Sequence, residues 1–326
     1  MDKTRWGIIG TGSIASKFAE GLTYLDDAQL VAVGSRAQET ADEFAAEWHV
    51  PRRHASYREL AEDPEVDAVY VATPHVFHME NAILCLEAGK PVLCEKPLAI
   101  NARQVREMIA CARERDLFLM EAMWTRFIPA VRKVCDLLEE NAVGEVKMVK
   151  ADFCFRSGWN PEGRLLNPEL GGGGLLDVGC YTIAFASMVY GGPPEDVSGL
   201  PDIGETGVDE QAGIVLRQAD GSLSVLTCAV RTSSPHDAWI IGTEGHIRVH
   251  HPFWHASELT LRSGDGEQTM EMPHEGNGYN YEAAEVARCL REGLTESPDM
   301  TLEESLTIML TMDRLRQQWG LEYPME

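Results

Sequence analysis

Trp6-Gly7-Ile8-Ile9-Gly10-Thr11-Gly12-Ser13-Ile14-Ala15 is the stretch that decides the fold. An apolar run ends in Gly-x-Gly-x-x-Ala and passes into a segment with helical spacing, the strand, turn and helix of a dinucleotide-binding unit. Gly10 and Gly12 permit a tight turn and let the backbone approach a pyrophosphate. Ser13 and Ile14 open the helix, where free amides favour an anion, and Ala15 lets the helix pack on the strand.

Outward from that stretch, short apolar runs alternate with amphipathic segments, as in βαβ units around a parallel sheet. Strands are predicted at Trp6–Gly10, Leu30–Ser35, Val66–Thr73, Pro91–Glu95 and Leu117–Ala122, and helices at Ser13–Leu25, Ala37–Trp48 and Ala102–Arg115. The runs are nearly continuous in apolar residues, which suits strands covered on both faces. After Trp124 the character changes. A helix at Pro129–Glu140 precedes strand-like runs at Val146–Phe155, Gly213–Arg217, Leu223–Val230, Trp239–Gly242, Ile247–His250, Leu259–Arg262 and Thr269–Met272. Asp-Gly, Glu-Gly and Gly-Asp-Gly turn signals separate them, as in antiparallel sheets. Helices at Tyr281–Glu292 and Leu302–Gln318 are expected to pack on that sheet. The expected fold class is α/β: a Rossmann dinucleotide-binding domain over residues 1–122, then an α/β domain over residues 123–326 with a large open, mostly antiparallel sheet.

The length, 326 residues, suits two domains. With 52 Asp and Glu against 28 Lys and Arg, the formal net charge of −24 would repel a nucleic-acid backbone or an anionic membrane surface. Neither is an expected partner. The eight cysteines form no C-x-x-C pair and read as reduced thiols of a cytoplasmic protein. The apolar run Trp6–Ile9 begins almost directly after Met1, and no apolar stretch is expected to reach membrane-spanning length, so neither export nor membrane insertion is expected. His246, His250, His251 and His255 lack a completing pair of ligands, so no metal is expected.

An NAD enzyme places an acidic residue at the end of its second strand, on the ribose hydroxyls. This chain has Ser35-Arg36 there, and a guanidinium suits a 2′-phosphate, so NADP is expected ahead of NAD; a solvated arginine is the plainer alternative. Thr73-Pro74-His75 ends the next long strand on the nicotinamide side, although a simple strand-ending turn fits the same residues.

Cys94-Glu95-Lys96-Pro97 follows a strand, and residues at the carboxyl end of a parallel strand point into the ligand crevice. Glu95 and Lys96 therefore belong at the cofactor. Lys96 could transfer the substrate's proton or lower the pKa of a neighbouring acid; a surface lysine before a turn is the alternative. In the glycine-rich segment Gly171–Tyr181, Asp177 and Tyr181 are four apart and share a helical face. The carboxylate could orient a substrate while the phenol moves the proton; alternatively Tyr181 is core. Trp124, Phe153, Phe155, Trp159, Trp254 and Tyr279 could wall a pocket, and Arg156 and Arg164 could reach a ligand.

Gly10–Ala15, Glu95-Lys96-Pro97 and the glycine run leading into Asp177-x-Gly-x-Tyr181 together resemble the Gfo/Idh/MocA oxidoreductase family, over essentially the whole chain. Cys94–Leu98, Phe118–Phe127 and Gly172–Gly179 look like its dihydrodiol and D-xylose dehydrogenase branch. The resemblance implies Lys96 and Tyr181 as the catalytic pair, with Asp177 beside them, and Trp124, Phe153, Trp254 and Tyr279 in the substrate pocket. Many members carry histidine in place of Tyr181. It further implies a cis Lys96–Pro97 bond and a homodimer or higher oligomer formed through the open sheet. The activity it implies is hydride transfer between NADP and a cyclic polyol, aldose or trans-dihydrodiol. A glycosidase or isomerase that recycles its cofactor is the nearest competing activity. A non-catalytic NADP-dependent sensor is another, but it would have no need of Lys96, Asp177 and Tyr181.

Overall fold

The computed structural model describes residues 3–264 and 266–326. Asp265, the centre of the Gly-Asp-Gly turn signal, lies outside them. Packing divides the chain into two units: the residues up to Phe127 with Glu275–Ser305, and Ile128–His274 with Leu306–Glu326.

In the first unit, β1 (Thr4–Ile9), β2 (Ala28–Gly34), β3 (Arg52–His54), β4 (Ala68–Val71), β5 (Val92–Glu95) and β6 (Leu119–Ala122) form one sheet. Its order is β3-β2-β1-β4-β5-β6 and every pair is parallel. This is the Rossmann order, with its switch point between β1 and β4. Every residue of β4, β5 and β6 is buried, as expected of strands covered on both faces. Trp6 meets Phe18 edge-on at 5.1 Å, and Phe18 lies flat on Tyr70 at 3.8 Å. That stack fastens the first helix, Ser13–Leu22, to the sheet.

The helix expected at Tyr281–Glu292 runs over Tyr279–Arg291, and it packs on the first helix rather than on the second sheet. Gly21 makes the approach possible: a Cβ there would stand 3.0 Å from the Asn280 nitrogen. Sequence order suggested the wrong neighbour because this segment returns to the first unit after a long excursion.

In the second unit, β7 (Val146–Cys154), β8 (Asp196–Ile203), β9 (Asp209–Arg217), β10 (Leu223–Ala229), β11 (Ala238–Gly242), β12 (Gly245–Val249), β13 (Glu258–Ser263) and β14 (Gly266–Glu271) form an eight-stranded sheet. The order is β14-β13-β12-β11-β7-β10-β9-β8. Only β7 and β10 pair in parallel; the other pairs are antiparallel. Burial alternates along β9, the pattern of a sheet covered on one side. The helix Cys180–Tyr190 covers that side, and the C-terminal helix Leu302–Trp319 reaches β8 through Trp319 Nε1, which donates to the Gly199 carbonyl at 2.9 Å. β8 was not anticipated. It carries Pro201, which an edge strand tolerates because one row of its amides is unpaired.

One expectation is corrected. Pro168–Tyr190, with mean hydropathy 1.3, is long and apolar enough to cross a membrane, yet 89% of it is buried inside the protein. Its apolar character is that of a core segment.

Candidate active site

Gly10 follows β1 at φ +102°, and a Cβ there would stand 2.9 Å from the Ala72 carbonyl oxygen. Only glycine fits. Gly12 differs: its φ is −80°, and a Cβ would meet no protein atom within 4 Å. Protein packing therefore does not require glycine at position 12; the space before the first helix is open to a ligand. That helix has neither a side-chain cap nor an acidic residue in its first turn. The amides from Ser13 and Ile14 onward remain for an anion, and the cradle fits a dinucleotide pyrophosphate.

Ser35 closes β2, buried, with its Oγ 2.6 Å from Thr40 Oγ1. Arg36 is exposed beside the Tyr57 phenol, whose pKa is pushed up by burial and drawn down by that guanidinium. Thr73 follows β4; its carbonyl lies 2.8 Å from His78 Nε2, and its hydroxyl accepts from Asn81 Nδ2 at 3.2 Å. Pro74 leads into a short turn, His75–Phe77, in which His75 is buried.

At the end of β5, the buried Glu95 accepts the Tyr70 hydroxyl on one oxygen and the Lys96 amide, at 3.1 Å, on the other. Lys96 is half-buried, and the Lys96–Pro97 bond is cis, as the resemblance implied. Glu282, from the helix that returns to this unit, is fully buried, and neither of its carboxyl oxygens has a hydrogen-bond partner among the described residues. Burial, then the charge of Glu95, push its pKa well above the usual carboxyl range. Trp124 and Tyr279 stack at 4.6 Å in this same unit.

The second unit holds the other cluster. Asp177 lies in a π-helical turn, Leu175–Gly179, that runs into the helix carrying Tyr181. A single regular helix was expected; the wide turn is where the glycine run enters it, and such turns recur at functional sites. The buried Asp177 carboxylate accepts from Arg164 Nη1 at 2.7 Å. Tyr181 lies 5.3 Å from the ring of Phe153, which stacks in parallel on Trp254 at 3.4 Å. Of the aromatic residues proposed for one pocket, Trp124 and Tyr279 thus form a pair in the first unit, and Phe153, stacked on Trp254, adjoins Tyr181 in the second. Trp159 is exposed beneath Arg231, and Phe155 stands edge-on to Phe153.

Asp209 was missed. Fully buried, it accepts the Leu175 amide at 2.6 Å, and Gly173 at φ +124° leaves no room for a Cβ beside its other oxygen. It thereby fixes the glycine run that presents Asp177 and Tyr181. No local signal marks it, because its partner lies 34 positions earlier.

Burial raises Asp209 and Glu121 to about 7 each. A raised carboxyl keeps in the fold a proton that the unfolded chain loses near pH 4, so its contribution declines as pH rises from about 4 to 7. Stability is expected to fall between about pH 4 and 7, by roughly 3–4 kcal/mol for each group. Asp209→Asn keeps an acceptor for Leu175 and should flatten that fall in urea denaturation across the range; an equally steep fall would contradict the assignment.

Comparison with known proteins places this geometry. A model described as "Oxidoreductase family, NAD-binding Rossmann fold" matches residues 4–123, and one described as "GFO/IDH/MocA C-terminal domain" matches 131–248. The chain belongs to the Gfo/Idh/MocA oxidoreductase family. This family member is 40% identical to a trans-1,2-dihydrobenzene-1,2-diol dehydrogenase of Xenopus tropicalis, over 98% of this chain and 99% of that one. It is 38% identical to the Homo sapiens protein of the same name, over 99% and 98%. Among solved structures, a 3-ketoreductase from Actinomadura kijaniata in complex with NADP and TDP-benzene superposes with a TM-score of 0.85 at 26% identity, over 97% of this chain and 98% of that one. An aldose-aldose oxidoreductase from Caulobacter crescentus, 22% identical, shares the fold with a TM-score of 0.89 over 98% of each chain. The family member is thus an oxidoreductase with an NAD(P)-binding Rossmann domain.

Proposed function

We infer that this family member is an NADP-dependent dehydrogenase or reductase acting on a CH–OH carbon of a cyclic polyol, an aldose or a trans-dihydrodiol. The full-length likeness to dihydrodiol dehydrogenases carries the reading, on a chain that keeps Lys96, Asp177 and Tyr181. A bound nicotinamide supplies the acceptor for the substrate's hydride. In the oxidative direction Tyr181, assisted by the Lys96 ammonium, takes the hydroxyl proton, and Asp177 holds a second hydroxyl in register. Phe153, backed by Trp254, offers an apolar surface beside Tyr181, and the Trp124–Tyr279 pair is the aromatic surface proposed for substrate in the first unit. The pyrophosphate rests on the amides from Ser13 and Ile14, with Ser35 and Arg36 on the adenosine ribose and Thr73, Pro74, His75 and Glu95 towards the nicotinamide.

Arg36 sets the NADP preference in this reading. Arg36→Ala should raise the KM for NADP about 10- to 100-fold, the worth of one charge-assisted contact, and change that for NAD far less. Steady-state kinetics with both cofactors check this; an equal loss with each would contradict it. A second copy of the chain is the proposed partner, and the exposure of Leu200 (84%), Val215 (42%) and Val225 (40%) on the second sheet supports burial of that face between copies. The eight cysteines, with no C-x-x-C pair, suit the proposed reducing cytoplasm.

The reading is tested by a substrate deuterated at the carbinol carbon. Deuterium should appear in free NADPH; its return to a rearranged or hydrolysed product would assign a cofactor-recycling enzyme, and no transfer at all would assign a sensor.

A further inference from the structure

β5 ends at Glu95, so the strand ladder does not fix the turn Lys96–Leu98. Buried side chains do. Besides Glu95 on the Lys96 amide, the Leu98 amide donates to Glu121 Oε1 of β6 at 2.9 Å, and the Pro97 carbonyl lies 2.9 Å from His78 Nδ1. The Cys94 thiol adds a long contact to the Leu98 carbonyl at 3.9 Å. His78 and Glu121 are 1% and 2% exposed. His78 begins the helix His78–Glu87 and bridges two chain segments, since its Nε2 faces the Thr73 carbonyl after β4.

We propose that His78 and Glu121 are positioning residues, which grip the Lys96–Leu98 turn from two neighbouring elements and so fix the direction in which the Lys96 ammonium is presented. The inference rests on Lys96 acting in proton transfer. A lysine side chain is flexible, so the protein controls its head group mainly through its backbone, and a displacement of about 1 Å at a reacting group costs on the order of 100-fold in rate. The surroundings agree with such a grip. Burial, opposed by the Pro97 and Thr73 carbonyls, lowers His78 to about 4, so near neutrality its ring is uncharged and its single N–H donates to one of those two carbonyls; the grip on the turn uses the tautomer protonated at Nδ1. Around Glu121 stand Ser305, Glu304 and Glu95, and burial raises it to about 7.

Three variants of the full-length enzyme test the proposal: Glu121→Leu, which removes the acceptor; Glu121→Gln, which keeps it without the charge; and His78→Phe. For each, kcat and the KM for NADP are measured across pH, after circular dichroism. Glu121→Leu and His78→Phe should lower kcat roughly 10- to 100-fold with KM for NADP within about 3-fold. They should also move the acidic limb of the rate profile for oxidation up by about one pH unit, because a displaced ammonium no longer assists the phenol. Glu121→Gln should recover most of the lost kcat. An unmoved profile in the Leu and Phe variants, or a Gln variant as impaired as Leu, overturns the proposal; if Glu121→Leu does not fold, His78→Phe decides by the same criteria. Lys96→Ala is assayed alongside. If it is inactive while Glu121→Leu and His78→Phe behave as wild type, only this inference fails; if it retains turnover, the catalytic reading fails and takes the inference with it.

Discussion

Lys96→Ala is expected to lower kcat about a thousand-fold, the usual scale for removing a positioned proton-transfer group or its charged partner. The dissociation constant for NADP should stay within about 3-fold, because the cofactor's charge is held mainly elsewhere, by the amides at the first helix and by Arg36. A phenol ionises near pH 10 in water, so Tyr181 needs a neighbouring positive charge to act as a base near neutrality. Lys96→Arg should restore little, since a planar guanidinium carries its charge in a different place and shape. Stopped-flow turnover with fluorescence titration of NADPH checks both halves. A Lys96→Ala enzyme that turns over normally, or one that no longer binds NADPH, would contradict the assigned role.

Gly173→Ala is expected to be strongly damaging to the second unit. At φ +124° any side chain strains the backbone by about 1–3 kcal/mol, and here the new Cβ would run into the Asp209 carboxylate. That carboxylate cannot withdraw without releasing the Leu175 amide. The total loss should be on the order of 4 kcal/mol, with a drop in activity because Asp177 and Tyr181 follow on the same segment. Gly174→Ala is the control: its φ is −71° and the nearest atom to a Cβ lies at 3.4 Å, so it should cost little. Urea denaturation of the two variants separates them; similar losses in both would count against a specific fit between Gly173 and Asp209.

The Rossmann half was legible because local rules and tertiary demands agree there. Its strands are short apolar runs buried on both faces, and Gly10 is needed for both turn and packing. β3, made of Arg52, Arg53 and His54, was invisible because its strand character comes from pairing with β2 rather than from its side chains. The return of Tyr279–Arg291 to the first unit depends on the complement between Gly21 and Asn280, a contact with no local signature. The same holds for the site. Lys96, Asp177 and Tyr181 sit in motifs that can be read along the chain. The groups that hold those motifs in place, Asp209, Glu121 and His78, act across long sequence separations and appear only when the chain is folded.

The proposed activity is NADP-linked oxidation of a diol or sugar hydroxyl. Its most direct test is the appearance of reduced-nicotinamide absorbance when the purified protein and NADP meet trans-dihydrodiols, aldoses and inositols, with NAD in parallel. Turnover is expected with at least one dihydrodiol or aldose, and faster with NADP than with NAD. No turnover across the panel by a protein that binds NADPH, or a clear preference for NAD, would contradict it.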